Sequence, residues 1–245
     1  DDGIYLSSDL DATGEDSSEF YRVKHGEICA VDSDTIIFFD ASGKEIRKSP
    51  EDIYIKRDEY SKGDYEHYML KEIYEQPEAV RRTLESLIAG DSIELPQVSL
   101  RDEFFIENIE KIVIVACGSA YHTGLVGRCV IEKLCKIPCS VEIASEFRYA
   151  EPLINKKTLA VFVSQSGETA DTLASLRLAA RRGAQVLSIV NVRGSIIAEE
   201  SENVIYTRAG KEVAVATTKA YSAQLAAFYA LALYMASLRR TIDIE

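Results

Sequence analysis

The apolar positions fall into three regimes along the chain. Over residues 19–47, short apolar runs at 20–23, 27–31 and 35–39 alternate with His25-Gly26, Asp32-Ser33-Asp34 and Ser42-Gly43-Lys44, a pattern that predicts an antiparallel meander. Three strands with little helix beside them cannot cover their own faces, so this stretch reads as the end of a larger unit. Residues 58–63 are charged and turn-prone, and residues 65–89 then carry apolar side chains at helical spacing with Pro77 among them. Proline removes a donor and disfavours the α conformation in the residue before it, so a break and restart is expected near Gln76, followed by a loop over 90–96.

From Lys111 the pattern changes to apolar runs alternating with helical stretches. Strands are expected at 112–116, 140–143, 159–163, 186–190 and 204–207, and helices at 121–134, 145–149, 170–182, 195–200 and 216–240. Apolar runs alternating with crossover helices predict an α/β unit, a doubly wound five-stranded parallel sheet with enough material for its own core. The expected division is a partial antiparallel β segment over 1–57, a helical linker over 58–100 and the α/β domain over 101–245.

Composition mainly excludes. With 47% hydrophobic and 28% charged residues the chain is in the ordinary globular range. A net charge of -12 opposes a nucleic-acid partner, because such binding rests on Lys and Arg neutralising many phosphates. A bound phosphate should be a single small one, met locally. The start, Asp1-Asp2-Gly3, is unlike a cationic signal segment. The apolar stretch 214–238 contains Thr217, Thr218, Lys219, Ser222 and Gln224, which argues against a membrane span. A cytoplasmic protein with no membrane partner is expected. Cys29, Cys117, Cys129, Cys135 and Cys139 show no C-x-x-C pair, so reduced core thiols are expected rather than a zinc site or disulfide framework.

In an open parallel sheet, ligands bind beyond the carboxyl ends of the strands, where loops run into helix N-termini. Three segments there carry small polar side chains. Ser164-Gln165-Ser166-Gly167-Glu168-Thr169 follows the run 159–163 and precedes the helical stretch at Ala170. Its hydroxyls, amide and glycine offer compact donors beside free backbone N–H groups, which together capture phosphate without a basic side chain. The same residues also suit plain capping, with Ser166 on the helix and Ser164 in the turn. In the second segment, Ala116-Cys117-Gly118-Ser119-Ala120-Tyr121-His122-Thr123-Gly124, Gly118 permits close backbone approach and Ser119 can donate to the same anion. Cys117 allows a nucleophile or a packed thiol, and packing is expected because no base is assigned to it and His122 suits a helix face turned away. In the third, Gly210-Lys211-Glu212-Val213-Ala214-Val215-Ala216-Thr217-Thr218-Lys219, Thr217 or Thr218 either caps the helix or meets a ligand, and Lys219 reads as a surface or core-edge residue. Arg193 reads equally as part of an exposed turn and is left outside the site.

Ala116-Cys117-Gly118-Ser119, Ile143-Ala144-Ser145-Glu146-Phe147-Arg148-Tyr149, Ser164-Gln165-Ser166-Gly167-Glu168-Thr169-Ala170-Asp171-Thr172 and Val215-Ala216-Thr217-Thr218-Lys219-Ala220 together resemble the isomerising glutamine:fructose-6-phosphate aminotransferases. Tyr5-Leu6-Ser7-Ser8-Asp9 and Gly26-Glu27-Ile28 are similar to the end of that family's glutaminase domain. Tyr65-Glu66-His67-Tyr68-Met69-Leu70-Lys71-Glu72-Ile73-Tyr74-Glu75-Gln76-Pro77 is similar to its interdomain linker. The resemblance implies a flavodoxin-like first sugar-isomerase (SIS) domain over 101–245, preceded by the glutaminase tail and the linker. It implies that Ser119, Ser164, Gln165, Ser166 and Thr169 hold the phosphate of fructose 6-phosphate or glucosamine 6-phosphate. Val215 would add its backbone and Thr217 its hydroxyl, although the family's usual serine is threonine at 217. Ala120 also stands where many relatives carry another hydroxyl.

The implied reaction, in a homodimeric parent and without metal or organic cofactor, moves glutamine-derived ammonia to fructose 6-phosphate and yields glucosamine 6-phosphate and glutamate. The family's N-terminal cysteine nucleophile and its second isomerase domain are outside this sequence, so binding without turnover is expected and no catalytic residue is assigned. Two other readings are a sugar-phosphate-sensing module, which in bacterial regulators accompanies a basic helix-turn-helix, and a stand-alone ketose-phosphate isomerase or deglycase completed by a neighbouring subunit.

Overall fold

The computed structural model describes residues 4–7, 19–24, 26–32, 35–52, 61–99, 106 and 108–242. The expected turn residues His25, Ser33 and Asp34, the front motif's Ser8 and Asp9, and residues 58–60 lie outside the described residues. The chain divides into two compact units, Asp1–Ser61 and Lys62–Glu245.

In the first unit, β1 (Glu19–Phe20) pairs antiparallel with β5 (Glu51–Asp52), and β2 (Ile28–Val31), β3 (Ile36–Phe39) and β4 (Glu45–Ile46) form a three-stranded antiparallel sheet. The meander is present, but its third member is β4 rather than the expected run 20–23, of which Phe20 alone is in a strand, opposite Glu51. The local cause is the β3–β4 turn. The Asp40 carboxylate accepts the amides of Ser42 at 2.8 Å and Lys44 at 3.1 Å, folding the chain straight back onto β3. Among the described residues of this unit only Phe38 is buried, and Ile28, Val31, Ile36 and Ile37 stay exposed.

The second unit opens with α1 (Tyr68–Glu85), which runs unbroken through Pro77, against the expected interruption at Gln76. The proline deprives the Ile73 carbonyl of its partner four residues on, and the Gln76 side-chain amide takes that role, donating to the Ile73 oxygen at 3.1 Å. The helical stretch expected as far as residue 89 ends at Glu85, and a short hairpin, β6 (Ile88–Ala89) and β7 (Ser92–Ile93), turns at Gly90 and Asp91, so its second strand lies in the expected loop at 90–96. Leu87, Leu95 and Val98 around it are buried in the main core.

The elements that follow are β8 (Lys111–Ala116), α2 (Gly118–Cys135), β9 (Cys139–Ile143), α3 (Ala144–Phe147), β10 (Thr158–Ser164), α4 (Ala170–Arg181), β11 (Gln185–Val190), α5 (Ile196–Glu199), β12 (Asn203–Tyr206) and α6 (Lys219–Leu238). The five strands pair in parallel in the order β12-β11-β10-β8-β9, the doubly wound sheet the pattern predicts. Side-chain alternation divides the central strands β8 and β10 between two cores, whereas the edge strand β9 leaves Ser140, Glu142 and Ile143 exposed. Ile112, Ile114, Leu159, Val161 and Val163 face Ile131 of α2 and Phe228, Leu231 and Met235 of α6. Val113, Val115, Ala160 and Phe162 face Phe147, Leu176 and Ile197 on the other side. Burial on both faces is why these strands read as unbroken apolar runs.

By length and composition α6 could span a membrane, but 61% of its most apolar stretch is buried inside this unit, where it packs on α1 and α2 as a core helix. The approach of α2 to α6 requires Gly127, because a Cβ there would lie 2.5 Å from Cδ1 of Phe228. All five cysteines are free thiols. Core packing, expected for all of them, holds for Cys135 and Cys139, whose thiols burial pushes up to about 11 and about 12. Cys129 is exposed instead, on the outer side of α2.

Candidate functional site

The position of the site follows from strand order. β8 and β10 are neighbours, with Ala116 opposite Val163, yet β8 leads through α2 to β9 on one side and β10 leads through α4 to β11 on the other. At such a reversal the two connections diverge and leave a crevice between them, the usual ligand position in this architecture. A pocket of about 320 Å³ lies there, lined by Cys117, Gly118, Ser119, Ala120, Val163, Ser164, Gln165, Ser166, Thr169, Glu212, Ala214, Val215, Thr217 and Gln224. The candidates Ser119, Ser164, Gln165, Ser166, Thr169, Val215 and Thr217, drawn from three separate segments, meet in this one cavity.

Two element boundaries differ from the sequence expectation and matter here. α2 starts at Gly118, so Ser119 sits in its first turn rather than in a preceding loop. α6 starts only at Lys219, which leaves residues 210–218 as a long irregular segment above the sheet.

The 164–169 segment is organised by its own hydroxyls. Ser164 Oγ accepts the Gly167 amide at 3.0 Å and shares a hydrogen bond of 3.0 Å with Thr169 Oγ1, so one of these two hydroxyls keeps a proton for a ligand. Ser166 Oγ accepts the Glu168 amide at 3.2 Å, which leaves its own proton available. Gly167 has φ +71, and a Cβ on it would stand 2.0 Å from Ser195 Oγ, so backbone conformation and space both call for glycine. Glu168 turns outward and accepts the Ile196 amide at 3.0 Å, and Gln165 O accepts the Asn191 amide at 3.2 Å, tying the loop to the end of β11. Arg148 pairs with Asp171 of α4 at 2.7 Å, a contact that holds the guanidinium pKa above its ordinary value and braces the helix that follows the loop.

Electrostatics distinguish the two ends of the cavity. Among the described residues no side chain caps α2 or α4, so their first N–H groups are left for a ligand, and no described Lys or Arg lines the pocket. At α6 the corresponding position is taken. Glu212 Oε1 accepts the amides of Thr218 at 2.8 Å and Ala220 at 3.1 Å, and Glu212 Oε2 accepts the Thr217 hydroxyl at 2.8 Å. The end near α2 and α4 thus suits a phosphate held by neutral donors. The end near α6 carries a carboxylate and suits the uncharged hydroxyls of a sugar. Thr217 lines the cavity with its proton already committed to Glu212, so it meets a ligand as an acceptor.

Sequence reasoning assigned no role to Glu212 or Gln224, both of which line the pocket. Gln224 is 4% exposed, with Oε1 3.2 Å from Thr123 Oγ1. The available signal was an amide inside an otherwise apolar helical run, and an acidic residue a few positions ahead of a helix start. Cys117 is half-buried and packs at the edge of one core, and His122 is exposed beside Tyr121 with their rings edge to face at 5.6 Å. Lys219 is buried and paired with Glu75 at 2.6 Å, a core-edge residue as expected. Arg193 lies over the Tyr206 ring at 5.5 Å, and it does not line the cavity.

The SIS domain family matches residues 105–234. The chain is 48% identical over its whole length to glutamine--fructose-6-phosphate aminotransferase [isomerizing] of Clostridium acetobutylicum, and 47% identical over 98% of its length to that of Clostridium tetani. It spans 40% of the length of each of these curated relatives. The C-terminal domain of glucosamine-fructose-6-phosphate aminotransferase from Francisella tularensis superposes with a TM-score of 0.71 at 44% identity, over 75% of this chain and 51% of that one. Glucosamine-6-phosphate deaminase from Thermotoga maritima shares the fold alone, with a TM-score of 0.56 at 24% identity over 70% of this chain and 49% of that one. The family match covers more than half of the sequence, so this chain belongs to the SIS domain family.

Proposed function

We propose that the pocket binds the phosphate of fructose 6-phosphate or glucosamine 6-phosphate, and that the chain is the sugar-phosphate-binding part of an isomerising glutamine–fructose-6-phosphate aminotransferase. The observation that carries this reading is the gathering of Ser119, Ser164, Gln165, Ser166 and Thr169 at the strand-order reversal, beside two uncapped helix N-termini. The 48% identity across the whole chain favours this reading over a sensor module or a stand-alone isomerase.

In this assignment the phosphate lies against α2 and α4, held by the protons that Ser166 and the Ser164–Thr169 pair leave free and by the first N–H groups of the helices. The sugar reaches toward Val215 and Thr217, turned that way because Glu212 repels the phosphate. The parent protein transfers glutamine-derived ammonia to the sugar. Residues 1–57 form the tail of its glutaminase domain and 58–100 its linker. We place it in the cytoplasm as a homodimer, a location that five free thiols favour.

Three hydrogen bonds to the phosphate at about 1.5 kcal/mol each give roughly millimolar affinity before ordering costs. A phosphorus NMR titration with fructose 6-phosphate should therefore broaden the ligand line in the low-millimolar range, and Ser164→Ala with Thr169→Ala should abolish the broadening. Unchanged broadening in the variant would remove the phosphate from this loop.

A further inference from the structure

Residues 207–218 are held at several points, and most of the partners come from α1. The Asn191 side chain accepts the Ala209 amide at 2.8 Å and donates to Gly210 O at 2.8 Å. From α1, Arg82 donates to Ala209 O at 3.0 Å, and the Thr83 hydroxyl donates to Thr207 O. Glu72 holds Ala214, which lines the pocket. Its Oε1 accepts the amides of Val213 at 2.5 Å and Ala214 at 3.1 Å, with Oε2 3.3 Å from the same Ala214 nitrogen. One turn on, Glu75 pairs with Lys219 at 2.6 Å, and Gln76 accepts the Ser222 hydroxyl at 2.6 Å.

Glu72 is 2% exposed. A buried carboxylate is costly unless its oxygens are satisfied, and here two consecutive backbone amides of the segment supply the hydrogen bonds. Those amides immediately precede Val215, and the Glu212 cap grips the chain from Thr217, two residues after it. Val215 is therefore a fully exposed residue between two carboxylate anchors, one from α1 and one from the segment itself.

We infer that Glu72 is a positioning residue for the sugar end of the pocket, and that α1 is part of the binding site although none of its residues lines it. This rests on the proposed sugar-phosphate reading. It adds that the two halves of the ligand depend on different supports: the phosphate on the 164–169 segment with its neighbouring strands, and the sugar on a segment whose geometry α1 sets.

The test compares fructose 6-phosphate with inorganic phosphate in phosphorus NMR titrations of the wild-type chain, Glu72→Ala and Glu72→Gln. Loss of charged hydrogen bonds at one end should weaken fructose 6-phosphate about tenfold in Glu72→Ala while inorganic phosphate changes less than about twofold. Glu72→Gln keeps an acceptor oxygen and should restore most of the difference. Equal loss of both ligands, or wild-type binding of both, would overturn the positioning role. If the wild-type chain binds neither ligand, the sugar-phosphate reading falls. Amide hydrogen exchange then decides the inference by itself: exchange at Val213 and Ala214 should accelerate in Glu72→Ala while Gly167 and Glu168 stay unchanged, and no acceleration would sink it.

Discussion

Gly167 shows how much a single position can carry. A side chain there must adopt φ +71 and also displace Ser195, which is 2% exposed and donates to Val192 O at 2.9 Å. A left-handed non-glycine residue and an overpacked contact each cost about 1–3 kcal/mol, so Gly167→Ala should destabilise the chain by about 3 kcal/mol. Adding Ser195→Gly should recover the packing share and leave the backbone share, and urea unfolding of the three variants measures the division. A full recovery would mean the backbone strain is absent. In the sequence this glycine is legible as a loop residue between hydroxyls. Its second constraint is not, because Ser195 reaches it from a different connection.

At the scale of elements, α1 is where local signals misled. Proline in a helix interior normally breaks it, and the sequence around Pro77 predicts that outcome. The helix persists because one side chain serves two partners, with Gln76 donating to Ile73 O at 3.1 Å and accepting from Ser222 of α6 at 2.6 Å. Gln76→Ala should cost about 1–2 kcal/mol, near the sum of two ordinary hydrogen bonds. In a Pro77→Ala background the cost should fall, because the backbone N–H then satisfies Ile73 and only the Ser222 bond is lost. Urea midpoints of the four proteins give the coupling, and additive effects would show that Gln76 does not compensate for the proline. The strands raise no such conflict. Burial on both faces leaves an unbroken apolar run in β8 and β10 and one interrupted only by Ser188 in β11, so existence and type were readable, with ends shifted by a residue or two.

At the scale of the molecule, the Glu75–Lys219 pair joins α1 to the start of α6. Burial by itself would raise the Glu75 carboxyl, but the hydrogen bond and charge of Lys219, with Lys71 adding, hold it below its ordinary 4.5. A carboxyl depressed on folding contributes stability above its unfolded value and loses it as pH falls through the folded one. The stability difference between wild type and Glu75→Gln should therefore be constant above about pH 5 and shrink in more acidic solution, as read from urea midpoints across pH. A difference that grew on acidification would reverse the assigned sign. By itself, the sequence determined the α/β class, the number of strands in the parallel sheet and the small polar residues at their carboxyl ends, because apolar periodicity and turn chemistry are local properties of the chain. Only the tertiary structure decided which segments meet. The order β12-β11-β10-β8-β9 brings the loops after β8 and β10 together, Glu212 rather than a threonine caps α6, and Glu72 reaches the segment beside Val215 from 141 residues away in the chain. These depend on contacts between residues distant in sequence, for which periodicity carries no signal.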